Sequence, residues 1–95
     1  VKDIDAIWKL TNEINSMDLD IKDYQNMKIE ELSIEIRRVI ETQYEIFQRI
    51  EELKIKGTQP DLIKYIKIIC RNSTERKISQ IQKIYFNKID TEYKN

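Results

Sequence analysis

Lys54-Ile55-Lys56-Gly57-Thr58-Gln59-Pro60-Asp61 holds the only glycine and the only proline of a 95-residue chain. Each residue in it has a positional reason. Two lysines suit the negative end of a helix dipole, and Gly57 suits the left-handed residue just past a helix end. Pro60 is pre-set for the first turn of a following helix, with Thr58 or Gln59 as its cap and Asp61 at its positive end. The stretch therefore reads as a tight helix–loop–helix reversal, and a connection this short sets its helices antiparallel and adjacent.

Upstream, Ile29, Leu32, Ile36, Val39, Gln43, Ile46, Ile50 and Leu53 recur in steps of three and four, a heptad seam with one polar member. Downstream, Leu62, Ile66 and Ile69/Cys70 open a second seam. It lapses through the polar run 71–77 and resumes at Ile78, Ile81, Tyr85 and Ile89. Folding about Thr58 pairs residues whose numbers sum to about 116, so Ile50 meets Ile66, Ile46 meets Cys70 and Ile36 meets Ile81. The same register sets Gln43 opposite Ser73 and Thr74. An amide bonded to hydroxyls there would fix the register, because a slipped pairing would bury Gln43 against isoleucine.

A third seam, Ile7, Leu10, Ile14, Met17, Ile21 and Tyr24, precedes these. It is out of phase with the Ile29–Leu53 seam by about 100° of helix rotation, so a break or kink is expected near Gln25-Asn26, with Asn26 as cap. The expected architecture is a single all-α domain over residues 1–95. An antiparallel, coiled-coil-like hairpin (27–56 and 61–92 about a loop at 57–60) carries an additional N-terminal helical segment over 1–25.

Composition narrows the function. No histidine, one cysteine and one glycine leave no means for His-based acid–base chemistry, a Cys/His zinc site, a disulfide framework or a glycine-rich phosphate loop. No catalytic, cofactor-binding or metal-ligating set is assigned. No apolar run approaches a membrane span of roughly 18 residues. Formal charge is zero, but it divides as −2 over 1–28, −2 over 29–56 and +4 over 57–95. The basic residues of the last segment, with Tyr65, Tyr85 and Phe86 among them, complement the acidic segments, and a sequence pI near 6.5 speaks against a nucleic-acid surface. Cys70 lies on a seam and reads as a small core hydrophobe. The acid pairs Glu30-Glu31 and Glu51-Glu52 read as solvated helix surface.

Apolar residues remain once the hairpin seam is assigned. Ile40, Tyr44 and Phe47 form a shoulder beside it, while Ile34, Ile55, Ile68 and Phe86 point further out. Either residues 1–28 fold back and bury the shoulder, or the surplus docks another chain as in helix-in-groove recognition. The partner-binding candidates are Ile34, Ile40, Tyr44, Phe47, Ile68 and Phe86.

As a whole the chain resembles the phyllogens, small secreted effectors of phytoplasmas that cause leaf-like flowers. The likeness rests on the run Ile7-Trp8-Lys9-Leu10-Thr11-Asn12-Glu13-Ile14-Asn15, the stretch Met17-Asp18-Leu19-Asp20-Ile21-Lys22, Glu30-Glu31-Leu32 and the Gly57-Thr58-Gln59-Pro60 break. The isoleucine-, lysine- and asparagine-rich bias of an AT-rich genome adds to it. The resemblance implies a helical hairpin like the keratin-like K domain of plant MADS-domain transcription factors. Such a hairpin binds the K domains of floral members and links them to a proteasome shuttle factor for degradation. It further implies secretion by the bacterium and action in the cytoplasm and nucleus of the host plant cell, where a lone reduced cysteine is at home. The alternative expectation is a homo-oligomeric coiled-coil module, structural or regulatory, and weak self-association fits either role.

Overall fold

A computed structural model describes the backbone of residues 2–19 and 22–93, and the side chains of 4–18 and 22–93. Among these residues the protein is all-α: α1 (Lys2–Leu19), a single 3-10 turn (Tyr24–Asn26), α2 (Ile29–Ile55) and α3 (Pro60–Tyr93). The molecule is a rod of 58 × 19 × 16 Å. That length is set by α3, whose 34 residues rise about 51 Å at 1.5 Å each.

The reversal forms as its residues dictate. Gly57 sits at φ 94°; its N–H donates to the Lys54 carbonyl and the Thr58 N–H to the Leu53 carbonyl, both at 3.1 Å. These are the two bonds of a Schellman motif, which satisfy carbonyls the helix end would leave orphaned. Pro60 opens α3, and the Gln59 carbonyl accepts from the Leu62 and Ile63 N–H groups. Gln59, not Thr58, is therefore the cap.

Two apolar clusters confirm the register. Near the turn, Ile46 and Ile50 of α2 bury with Ile63, Ile66 and Cys70 of α3. At the far end Leu32 and Val39 bury with Ile81, backed by Ile36, Ile78 and Tyr85. Between them, at the level predicted for a polar layer, Ser73 and Thr74 are buried. The expected hydrogen bonds to Gln43 do not form. Thr74 Oγ1 donates to its own helix's Cys70 carbonyl at 2.8 Å, the Ser73 hydroxyl has no partner, and Gln43 stays half-buried. In a helix the preceding turn's carbonyl lies within a hydroxyl's reach without any tertiary contact, so the local bond takes Thr74.

The N-terminal break also differs from expectation. α1 ends at Leu19, and α2 begins after Lys28, whose N–H donates to Glu31 Oε1 at 3.2 Å. Asn26 does not cap α2; its side-chain amide donates to Asp23. Glu31 thus holds the start of α2 and is more than solvated surface. Ile21, the expected seam residue of the break, lies outside the described residues. Ile7, Leu10 and Ile14 carry α1 onto the turn-proximal cluster, while Met17 and Tyr24 reach the distal one. Three ion pairs give its direction. Glu13 pairs with Arg49, Asp18 with Arg76 and Lys22 with Glu35, so α1 runs antiparallel to α2 and parallel to α3.

Candidate functional site

Those ion pairs also decide which side of the hairpin α1 covers. Residues two apart on a helix point about 160° away from each other. Arg49 faces α1, so Phe47 faces the opposite flank; Arg76 faces α1, so Ile78 likewise faces the opposite flank. α1 does fold back as a third helix, but onto the flank away from the shoulder, so of the two alternatives for residues 1–28 it does not take the one that covers the shoulder.

The open flank is built on α2 by Ile36, Ile40, Tyr44 and Phe47, spaced at i, i+4, i+8 and i+11, and bordered on α3 by Ile78 and Tyr85. Ile40 and Tyr44 are 49% and 65% exposed, enough for each to offer most of one side to a partner, while Ile36, Phe47, Ile78 and Tyr85 are half-buried and form the floor. Glu51, one turn beyond Phe47, closes the stripe toward the hairpin turn by accepting from Lys67 Nζ at 2.9 Å. Hydrogen bonding and charge from Lys67 hold the Glu51 carboxyl below the ordinary glutamate range.

The other candidates scatter. Phe86 is exposed at the distal end and packs edge-to-face on Tyr85, centroids 5.6 Å apart and planes at 77°; five turns from Ile68, it lies on the same outer side of α3. Ile68 is exposed on the outer side of α3, and Ile34, two residues from Ile36, lies on the outer side of α2. The structure thus brings Ile40, Tyr44 and Phe47 together and leaves Ile34, Ile68 and Phe86 on outer faces, apart from them. Cys70 is fully buried; burial pushes its thiol up, the adjacent Thr74 hydroxyl opposing. That environment suits the core role expected of it.

A charged layer went unseen in the sequence. Glu35, 7% exposed, accepts from Lys22 at 2.9 Å and Arg38 at 3.1 Å, and Lys77, also buried, lies 5.6 Å from the centre of the Tyr24 ring. Buried charge is tolerated only with such partners. The one sequence clue is the length of the polar run 71–77, two helical turns, which a single Gln43 could not answer. The layer joins the α1–α2 linker to both hairpin helices, and its chemistry is that of a structural clasp.

Among the described residues no cluster of His, Cys, Asp or Glu is arranged to hold a metal ion, and no helix is long and apolar enough to cross a membrane. What the surface offers is an apolar stripe at helical spacing between two packed helices, the shape that receives another amphipathic helix. Comparison with protein-family models, curated proteins and solved structures gives no match.

Proposed function

We propose that the protein is an adaptor that acts by binding other proteins, its open flank receiving an amphipathic helix of the target. The observation that carries this reading is the Ile36–Ile40–Tyr44–Phe47 stripe, left uncovered because α1 docks on the other flank. The resemblance to phyllogens supplies the target: the K domain of floral MADS-domain transcription factors, itself an amphipathic helical segment with a/d-type contacts. On this reading a separate surface recruits a proteasome shuttle factor, the bound factor is degraded and floral development changes. The chain is secreted by the bacterium and works inside the host plant cell.

The test is retention of a purified floral K-domain segment by the immobilised protein. Ile40→Asp with Tyr44→Asp places two carboxylates on exposed positions, where the fold tolerates them, and should abolish retention while helical circular dichroism is unchanged. Phe47→Asp should do the same at some cost in stability, since its ring touches the core. Unaltered retention by the folded double variant would remove the open flank from the binding reaction.

A second reading, self-assembly, is favoured by the opposite charge of the hairpin helices, which lets α2 of one copy lie on α3 of another. Sedimentation separates the two. A stable dimer that dissociates in the Ile40→Asp, Tyr44→Asp variant supports self-assembly, and a monomer that binds the K-domain segment supports the adaptor.

A further inference from the structure

The open flank carries a symmetry that reception of an arbitrary helix does not require. Along α2 the stripe is balanced about Ile40. Ile36 and Tyr44 stand four residues to either side of it, and Ser33 and Phe47 stand seven to either side. Two copies of α2 crossing antiparallel at Ile40 therefore lay Ile40 on Ile40, Ile36 on Tyr44 and Phe47 over the small Ser33, with the last two contacts made twice about a two-fold axis. Charge repeats the symmetry. Arg37 and Glu41 follow Ile36 and Ile40 along the solvent edge of the stripe, and both are exposed. They stand four residues apart on one helix, close enough to pair with each other, yet neither forms an ion pair among the described residues. In the antiparallel crossing Arg37 of each copy lies about 3 Å along the axis from Glu41 of the other, which gives two reciprocal pairs.

We propose that the occupant of this stripe in the free protein is α2 of a second copy, in an isologous contact centred on Ile40 that a target helix must displace. The inference rests on reading the open flank as a helix-receiving surface, and it adds what holds that surface before the target arrives. α2 of the second copy complements the stripe better than its α3 does. Level with Ile40 and Tyr44, α3 is in its polar run 71–77, whereas α2 returns the same apolar side chains. A contact in which both copies use the same patch closes on itself, so assembly stops at two. It is also weak. One helix crossing with Ile40 and Tyr44 as its only exposed large apolar members covers less than the roughly 1,200 Å² of a small stable interface, so the dimer dissociates on dilution and frees the site.

The test is sedimentation equilibrium of the full-length protein over a range of concentrations, with circular dichroism confirming that each variant is helical. The wild type should form a reversible dimer and nothing larger. Arg37→Glu alone and Glu41→Arg alone each set like charges together at both pairs, and should weaken the dimer roughly fivefold to tenfold. An equimolar mixture of these two variants restores opposite charges at both pairs, so the mixed dimer should form at least as tightly as the wild type. The doubly reversed Arg37→Glu, Glu41→Arg protein should regain wild-type association. The same charge changes placed off the stripe, Lys83→Glu mixed with Glu52→Lys, should give no such gain, which separates the reciprocal pairs from general attraction between oppositely charged proteins. The self-contact is overturned if the wild type stays monomeric at millimolar concentration, if the single reversals leave the dimer unchanged, if the control mixture gains as much, or if assembly continues past the dimer. A monomer that still retains the K-domain segment overturns the self-contact alone. A dimer with the expected charge response that retains no K-domain segment overturns the adaptor reading alone.

Discussion

Replacing Gly57 by L-alanine isolates the part of the fold on which the hairpin depends. At φ 94° an L-residue suffers its own Cβ against the backbone, a cost of about 1–2 kcal/mol. The new methyl meets nothing else, since no atom lies within 4 Å of where it would stand. Against that cost, alanine restricts the unfolded chain and returns about 0.4–1 kcal/mol. The net expectation is a loss of about 1 kcal/mol, read as a fall of about 4–8 °C in Tm for a domain of this size. D-alanine, introduced by chemical ligation, favours positive φ and keeps the entropic gain, so it should stabilise. Asparagine, which tolerates the left-handed region, should fall between glycine and L-alanine. Urea titration followed by circular dichroism measures all three, with the slope m unchanged because the surface exposed on unfolding is the same. A neutral L-alanine variant, or a D-alanine variant as destabilised as its mirror image, would refute the assignment of Gly57 as the conformational stop.

Three further outcomes follow from packing and charge. Ile14→Ala, at a fully buried α1 position, should cost about 2–5 kcal/mol, whereas Ile55→Ser, at an exposed position, should stay within about 0.5 kcal/mol; equal effects would mean that α1 does not belong to the same cooperative unit. Ser73→Ala removes a hydroxyl with no partner and should be neutral or stabilising in urea, where a loss of more than about 1 kcal/mol would reveal a hydrogen bond such as the one first expected with Gln43. Because Lys67 holds the Glu51 carboxyl low, the contribution of this pair is present above the unfolded glutamate pKa and is lost as pH falls through the lower, folded value. The gap in urea midpoint between the wild type and Glu51→Gln should therefore close in acid, and a gap independent of pH would sink the linkage.

The hairpin was legible in sequence because its determinants are local or periodic: Gly57 and Pro60 mark the reversal, and the spacing of Ile46, Ile50, Ile66 and Cys70 sets the register. The flank chosen by α1 was not. Its seam of Ile7, Leu10 and Ile14 states that one side must be buried, but both grooves of a two-helix hairpin offer apolar walls. The choice correlates with Arg49, Arg76 and Glu35, whose partners lie 36, 58 and 13 residues away, distances over which no periodicity speaks. The same holds for the docking candidates. Sequence assembled Ile40, Tyr44 and Phe47 correctly by helical spacing, yet it grouped Ile34 and Ile68 with them, because surplus hydrophobicity has no direction until the seams have been packed. Thr58 was weighed only as a cap, a role that the carbonyl of Gln59 fills.

The polar layer at Ser73, Thr74, Lys77 and Glu35 divides the interior into two separate oily bodies along the rod. The turn-proximal body is braced by three helices, and the distal one mainly by two. Fluctuations that open the far end need not disturb the near end, so amide protons should be guarded longest around Ile50 and Ile66 and exchange sooner toward Leu32 and Ile81. The exposed stripe straddles that joint, with Phe47 anchored on the stiff side and Ile36 on the looser one. A helix laid along it would act as a splint, giving the distal half a rigidity that the free protein lacks.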